Sequence, residues 1–232
     1  MNAGIPVLKM VMMGSAGAGK TWLVHRWTHS EKPPNKAATV GLDMEIRVLN
    51  IGDRSYKVHV YDTAGQERFH SIVCNYYRGT YGAVCVVDVP ALVEACEVPP
   101  ADNQTRDEQI VAAILPQLRS IDDCRRMCAH TIAPRICVFG NKVDQRPGNE
   151  TAYDEIRDAL SVIATQQYQA VYFDTSALNG EGVDVAFMYL AGEMVDIRRQ
   201  MLDLSPQLPT NGFVQVTSTP AKSPSTTTTC AC

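Results

Sequence analysis

The sequence has no long hydrophobic run and no excess of positive charge. Its first apolar stretch, residues 7–13, is short and contains Lys9, so we expect neither a membrane-spanning helix nor a secretory signal. The 232 residues carry a formal net charge of −4, which argues against general nucleic-acid binding. These absences favour a cytosolic globular protein, for which a hydrophobic content of 45% is sufficient to form a packed core.

The eight cysteines are scattered and form no disulfide or metal-binding framework. Small core positions are expected for Cys74, Cys85 and Cys137. Cys124, Cys128 and His130 have a loose metal-like spacing. No second pair of ligands completes this group, so we expect no zinc site there.

One loop carries a complete phosphate-binding pattern, G-x-x-x-x-G-K-[ST], directly after the apolar run at residues 7–13. The pattern occupies Gly14, Ser15, Ala16, Gly17, Ala18, Gly19, Lys20 and Thr21. Glycines let the backbone wrap its N–H groups around a phosphate, and the helix expected at 19–29 directs its positive N-terminus at the same group. Lys20 would reach the outer phosphates of a nucleotide, and the Thr21 hydroxyl would bind Mg²⁺.

Two later segments indicate which base is bound, since each follows a further apolar run. They contain Asn141, Lys142 and Asp144, and then Ser176, Ala177 and Leu178. The Asp144 carboxylate can accept two hydrogen bonds from guanine N1 and N2, whereas adenine offers no such donor pair. Asn141 would join this loop to the phosphate loop, the Lys142 stem would lie over the ring, and the Ala177 N–H would donate to guanine O6. The sequence therefore predicts a guanine nucleotide site.

A third segment lies between the phosphate loop and the guanine motifs, where residues 61–69 read Tyr-Asp-Thr-Ala-Gly-Gln-Glu-Arg-Phe. With this segment in place, the chain resembles the Ras-like small GTPases, and the Rab family in particular, over about residues 7–201. Further Rab-like segments are found at residues 39–43, 68–72 and 76–79. The terminal Cys-Ala-Cys at residues 230–232 is similar to the double-cysteine ending that many Rabs use for prenylation.

The resemblance implies how the remaining site residues act. Thr39 would close onto Mg²⁺ when a γ-phosphate is present, and Asp62 would support Mg²⁺ through its water shell. The Gly65 N–H would contact the γ-phosphate, and Gln66 would be the catalytic residue that orients the attacking water. Loss of the γ-phosphate would release both loops, which makes a two-state switch. Since no motif supplies an arginine in cis, we expect slow hydrolysis of GTP to GDP and an activating partner protein.

The apolar runs and helical patterns predict an α/β fold of the P-loop NTPase, small GTPase type. Strands are expected near residues 7–13, 43–51, 55–61, 82–88, 135–140 and 170–174, and helices near 19–29, 67–78, 105–127, 152–167 and 182–200. The second and third strands form a hairpin, and the other strands alternate with helices. This order predicts a six-stranded, mostly parallel sheet with helices on both faces and ligand loops at the carboxyl ends of the strands.

The composition changes near residue 201, so we expect a GTPase domain at 1–201 and a flexible hypervariable tail at 202–232. Cys230 and Cys232 are predicted lipidation sites, because two lipid chains anchor a protein stably where one is marginal. The prenyl groups would hold the chain at the cytoplasmic face of an intracellular membrane, from which it would cycle with the cytosol. Within the domain, the segment between Asp88 and Asn141 is roughly twenty residues longer than the family norm, which places an insertion at about 90–134.

Five residues depart from the family pattern. Ala16 adds a methyl group near the catalytic glutamine, which would slow hydrolysis. Lys32 replaces an aromatic residue at the guanine edge, which predicts faster nucleotide release. Met44 and Tyr61 replace a Phe and a Trp on the effector-facing surface, so we do not expect known Rab effectors to bind in the usual way. Leu178 replaces a lysine of the guanine segment at 176–178, whose backbone contact should survive.

The resemblance also implies partner proteins: effectors, an exchange factor, a GTPase-activating protein, a prenylation escort and a GDP-dissociation inhibitor. No nucleic-acid partner is expected, and the chain is expected to be a monomer. Two alternatives remain open. Ala16 and Lys32 are compatible with a guanine-nucleotide-binding scaffold that scarcely hydrolyses GTP. A small-molecule kinase would also use a phosphate loop, but it would leave Asn141 and Asp144 without a role.

Overall fold

The computed structural model describes residues 4–31, 42–63, 76–97, 104–128, 132–146 and 150–204. Its strands are β1 (Val7–Met13), β2 (Leu42–Ile51), β3 (Arg54–Thr63), β4 (Gly82–Asp88), β5 (Arg135–Asn141) and β6 (Val171–Thr175). Its helices are α1 (Lys20–His29), α2 (Val89–Ala95), α3 (Arg106–Met127), α4 (Glu150–Gln166) and α5 (Val183–Leu204), and a 3₁₀ turn spans Val143–Gln145.

The six strands form one sheet in the order β2-β3-β1-β4-β5-β6. β2 and β3 pair antiparallel as a hairpin, and the other neighbouring pairs are parallel. The predicted fold class is therefore confirmed, and each predicted strand ends within two residues of the observed bounds. β4 and β5 are near-continuous apolar runs because helices cover both faces of the central strands.

Alternate residues of β1 point to opposite faces of the sheet and enter two separate cores. Met12 packs on one face with residues of α1 and α5, where the rings of Trp27 and Phe187 stack with their centroids 4.6 Å apart. Met13 packs on the other face with residues of α2, α3 and α4. The two helical layers leave the carboxyl edge of the sheet to the loops that carry the nucleotide motifs.

The sequence does not predict α2, since Pro90 indicates a break in the chain. In the structure Pro90 lies in the first turn of α2, where a helix does not need the missing N–H. The Asp88 side chain accepts a hydrogen bond from Ala91 N at 3.2 Å and caps the helix. A proline that looks like a helix breaker thus lies at the start of a helix.

The predicted helix at 105–127 is confirmed as α3. Thr105 and Glu108 form a capping box at its N-terminus, and one face is buried in the core through Ile110, Ile114, Leu118, Ile121 and Cys124. The helix continues through Pro116, whose side chain is exposed. The carbonyl that loses its helical donor to this proline therefore lies on the solvent side.

All five described cysteines are buried: Cys85, Cys96, Cys124, Cys128 and Cys137. Burial raises the pKa of Cys124 and of Cys137 to about 12, so both remain neutral thiols. Cys74 and His130 lie outside the described residues, and within those residues no group of three possible ligands for a metal ion occurs.

Most of the helix expected at 67–78 and the chain from residue 205 onward also lie outside the described residues. None of the described helices combines the length and the apolar character needed to span a membrane.

Candidate nucleotide-binding site

Loops that follow several strands meet at one edge of the sheet. The phosphate loop follows β1, Asp62 lies near the end of β3, and Asn141 and Thr175 end β5 and β6. The strand register brings these ends together, since Met12 is opposite Asp62 and Asn141 is opposite Thr175. This is the edge at which open α/β sheets bind ligands.

Two glycines determine the shape of the phosphate loop. Gly14 has a φ of 125° and Gly19 a φ of 96°, a region that L side chains rarely adopt. A Cβ on Gly14 would lie 2.2 Å from Val86 O, and one on Gly19 would lie 2.3 Å from Asn141 Nδ2. Ser15, Ala16 and Gly17 are exposed on the outer side of the loop, and Ala18 is buried. The loop is thus a tight backbone cradle, in which a side chain on either glycine would collide with β4 or with Asn141.

Lys20 begins α1 and is held inside this cradle. Its Nζ donates hydrogen bonds to Gly14 O at 3.0 Å and Ser15 O at 2.9 Å, and the residue is only 5% exposed. Burial lowers the pKa of the Lys20 ammonium, and the nearby Asp62 carboxylate acts in the opposite direction. A buried cation beside a helix N-terminus is suited to an anionic ligand such as a phosphate group.

Thr21 and Asp62 place two oxygen groups next to this cation. Thr21 Oγ1 donates a hydrogen bond to Asp62 Oδ2 at 2.5 Å, and Asp62 is 1% exposed. Hydroxyl and carboxylate oxygens are ligands that Mg²⁺ prefers, either directly or through water. The donor set therefore fits Mg²⁺, and Thr39, the third predicted ligand, lies outside the described residues.

Asn141, the first residue of the guanine segment at 141–144, joins the phosphate loop to the guanine segment at 176–178. Its Nδ2 donates to Ala18 O at 2.7 Å, and its Oδ1 accepts from Ala177 N at 3.2 Å and from Thr175 Oγ1 at 3.5 Å. The sequence assigns the Ala177 N–H to guanine O6, whereas in the structure this N–H donates to Asn141. A base that binds here must either accept from the Ala177 N–H together with Asn141 Oδ1 or displace Asn141 Oδ1 from this N–H.

Asp144 and Lys142 lie on the segment that follows β5. The exposed Asp144 carboxylate accepts a hydrogen bond through Oδ1 from Ser176 Oγ, which joins the guanine segment at 141–144 to the one at 176–178. Lys142 has a φ of 69°, and its ammonium forms an ion pair with the Asp88 carboxylate. This ion pair fixes the far end of the Lys142 side chain and leaves its apolar stem as the part that can contact a ring.

Two side chains outside the sequence motifs support the guanine segments. Arg26 of α1 donates from Nε to Ala177 O at 3.2 Å and from Nη2 to Leu178 O. Asp88 holds Lys142 from the end of β4. The position of Asp88 at the carboxyl end of a strand is a signal that could have identified it. No comparable signal marks Arg26, because 151 residues separate it from Ala177.

Several predicted functional residues fall outside the described part of the chain. They are Gly65, Gln66, Lys32, Cys230 and Cys232. Their roles therefore stay predictions from the sequence.

The surface assigned to effectors by the resemblance is visible at the β2–β3 hairpin. Met44 is paired with Tyr61 in the strand register and is 43% exposed. The Tyr61 ring is half-buried, with its centroid 6.1 Å from that of Tyr76. Ile46 and Val48 follow Met44 at alternate positions of β2 and are also exposed. An apolar row thus lies beside Tyr61 on the exposed face of β2.

Comparison with known proteins gives one family match and several relatives. The model of the Ras family matches residues 9–94, which include the phosphate loop, the hairpin and Asp62. Ras-related protein Rab-4B of Homo sapiens is 33% identical over 185 residues, covering 80% of this chain and 75% of that protein. Rab-4A of Rattus norvegicus is 30% identical over 190 residues (82% and 75%), and Rab-30 of Homo sapiens is 28% identical over 209 residues (89% and 90%).

Proposed function

Because this chain belongs to the Rab family of Ras-like small GTPases, we propose that the loops at the carboxyl edge of its sheet divide the nucleotide between them. The chain is a GTPase that binds GTP and GDP with Mg²⁺ and acts in intracellular trafficking. Residues 14–21 enclose the phosphates, and residues 141–144 and 176–178 hold the guanine. The observation that carries this assignment is Asn141, whose side chain contacts both the phosphate loop and Ala177.

The described side chains account for phosphate binding. The Lys20 ammonium, held between two loop carbonyls, compensates the charge of the outer phosphates, and the positive end of α1 adds to this field. Thr21 and Thr39 through their hydroxyls and Asp62 through water would hold Mg²⁺, which would add further neutralisation of the phosphate charge.

Hydrolysis needs an oriented water and a stabilised leaving group. Gln66 positions the water that attacks the γ-phosphorus, and the Gly65 N–H contacts the γ-phosphate oxygens. As the new P–O bond forms, the bond to the β-phosphate oxygen breaks, and GDP and inorganic phosphate are released. Arg26 does not supply the missing charge, because its guanidinium donates to Ala177 O and Leu178 O. The unassisted reaction is therefore slow, and fast hydrolysis requires a GTPase-activating protein.

The expected result for the full-length chain is guanine-selective binding and slow single-turnover hydrolysis. Excess ATP should not displace GDP, since adenine lacks the donor pair that Asp144 recognises. Gln66→Leu should lower the hydrolysis rate by at least about tenfold, because leucine cannot orient the water. Rapid-quench single-turnover assays with Mg²⁺ measure this rate.

Gln167→Leu is the matched control, since Gln167 is exposed beyond the end of α4 and far from the site in the fold. Guanine binding with no Gln66-dependent hydrolysis would instead support the scaffold alternative and would direct attention to the exposed Ala16 of the phosphate loop. Equal competition by ATP would remove the guanine assignment.

The tail gives the protein its membrane attachment in this proposal. As a Rab, the chain works with effectors, exchange factors and GTPase-activating proteins; a prenylation escort and a GDP-dissociation inhibitor complete the cycle between cytosol and membrane. Prenyl groups on Cys230 and Cys232 hold the protein at the cytoplasmic face of an intracellular membrane. Two chains are needed because a single lipid of this size anchors only marginally, at about 0.8 kcal/mol per buried CH₂.

In eukaryotic cells, replacement of both Cys230 and Cys232 by serine should move the protein from the membrane fraction to the cytosol. The single Cys232→Ser variant should be distributed between the two fractions, since one chain remains. Fractionation and intact-mass spectrometry measure this, with Ser225→Ala as the tail control. An unmodified mass for the wild-type chain would contradict the assignment.

A further inference from the structure

We propose that Gln117 of α3 is a positioning residue for the phosphate loop. Ser15 Oγ donates a hydrogen bond to Gln117 Oε1 at 2.6 Å, although the two residues are 102 positions apart in the chain. Gln117 belongs to none of the nucleotide motifs and lies in the long segment between β4 and β5. The inference rests on the proposed function, because it requires that the loop at 14–21 holds nucleotide phosphates.

Ser15 is held from two sides. Its backbone carbonyl accepts a hydrogen bond from Lys20 Nζ at 2.9 Å, and its side chain is bound by Gln117. The same carbonyl accepts from Ala18 N at 3.4 Å. A displacement of Ser15 would therefore move an acceptor of the ammonium that contacts the phosphates. Gln117 acts on the nucleotide through this residue and does not touch the nucleotide itself.

Gln117 is well placed to fix Ser15, because its own backbone is tied to the sheet. Gln117 O accepts a hydrogen bond from Cys85 Sγ at 3.3 Å, and the next residue, Leu118, is fully buried. Burial raises the pKa of the Cys85 thiol to about 11, so the sulfur carries its proton at neutral pH and can donate. Cys85 of β4 is opposite Met13, the residue before Gly14. The strand that holds the Gln117 backbone and the strand that leads into the phosphate loop are thus neighbours in the sheet.

The consequence is a pre-organised phosphate loop. Without the Gln117 contact the outer side of the loop, including Ala16, samples more conformations, and part of the binding free energy is spent on ordering it. The hydrogen bond joins neutral partners near the surface, so its loss has a moderate effect, about a 2- to 10-fold faster release of GDP. The segment between β4 and β5 thereby influences how long the nucleotide remains bound.

A double-mutant cycle on GDP release tests the contact. Gln117→Met keeps the length and the apolar stem of the side chain but removes the acceptor, and Ser15→Ala removes the donor. Stopped-flow release of a fluorescent GDP from the full-length protein should be about 2- to 10-fold faster for each variant. The double variant should be no faster than the faster single variant, because both changes remove the same bond. A merely structural role of Gln117 would give independent, multiplying effects.

Gln109→Met is the matched control, since it makes the same substitution on the same helix, where Gln109 Oε1 accepts from Arg106 and not from the loop. Its GDP release should equal that of the wild type. Unchanged release in Gln117→Met, or multiplying effects in the double variant, overturns the proposal. If Gln117→Met does not fold, Ser15→Ala decides alone, because Ser15 is exposed: unchanged release again overturns it. If the wild-type protein itself fails to retain GDP, the proposed function is overturned together with the role of Gln117. If the wild type retains GDP and only the variants behave otherwise than expected, the role of Gln117 alone is overturned.

Discussion

Replacement of Lys20 by methionine is expected to lower the affinity for GDP and GTP by about a hundredfold to ten-thousandfold. The Lys20 ammonium is buried, so its charge acts on the phosphates with little screening by water. This range corresponds to the loss of two charge-assisted hydrogen bonds from the ammonium to phosphate oxygens, at about 1.5–3 kcal/mol each. The substitution also removes the charged donor from the carbonyls of Gly14 and Ser15 at a site that receives an anion.

Equilibrium titration with a fluorescent GDP analogue measures the Lys20→Met affinity. Lys9→Met is the matched control: Lys9 is a half-buried lysine of β1 whose Nζ donates to Arg78 O at 2.8 Å, away from the phosphate loop. Its GDP affinity should stay within about threefold of the wild type, a change of under 1 kcal/mol. A folded Lys20→Met protein that binds GDP as tightly as the control would show that the phosphates do not lie in this loop.

The parts of this protein that follow from the sequence are those governed by local rules. Gly14 and Gly19 are placed where the backbone needs positive φ, so the strand, loop and helix could be predicted from adjacent residues. The convergence of Asp62 and Asn141 near the phosphate loop also followed, because parallel strands bring their carboxyl ends to one edge. The alternation of apolar runs with helical stripes was sufficient for the order of β4, α3 and β5.

The contacts that the sequence did not reveal are made between residues distant in the chain. Arg26 reaches the carbonyl of Ala177, and Gln117 reaches Ser15, through polar side chains that have no periodic pattern. Their partners are set by how helices pack on the sheet, which no short motif encodes. The helix α2 was missed for a different reason: Pro90 has the same appearance in sequence whether it ends a helix or begins one. Tertiary packing determines that Pro90 begins a helix here.

Replacement of Asp144 by asparagine should change which base the protein prefers. The carboxylate accepts from guanine N1 and N2, whereas the amide offers one acceptor and one donor, so a donor faces the guanine N2 amino group. We expect GDP affinity to fall by about 10²- to 10⁴-fold, because two charge-assisted hydrogen bonds are replaced by one neutral hydrogen bond and an unfavourable contact between two donors. Xanthine carries an oxygen in place of the N2 amino group, and the asparagine N–H can donate to it. XDP affinity should therefore rise relative to GDP.

Competition titrations with GDP and XDP measure this preference. The fold is expected to tolerate Asp144→Asn, because Asp144 is exposed and the amide oxygen can still accept from Ser176 Oγ. Asp158→Asn is the matched control, since Asp158 is an exposed carboxylate of α4 that pairs with Arg157. It should keep the wild-type preference. If Asp144→Asn also keeps that preference, guanine must be selected by the backbone of the guanine segment at residues 176–178. The Arg26 contacts to Ala177 and Leu178 would then determine base choice.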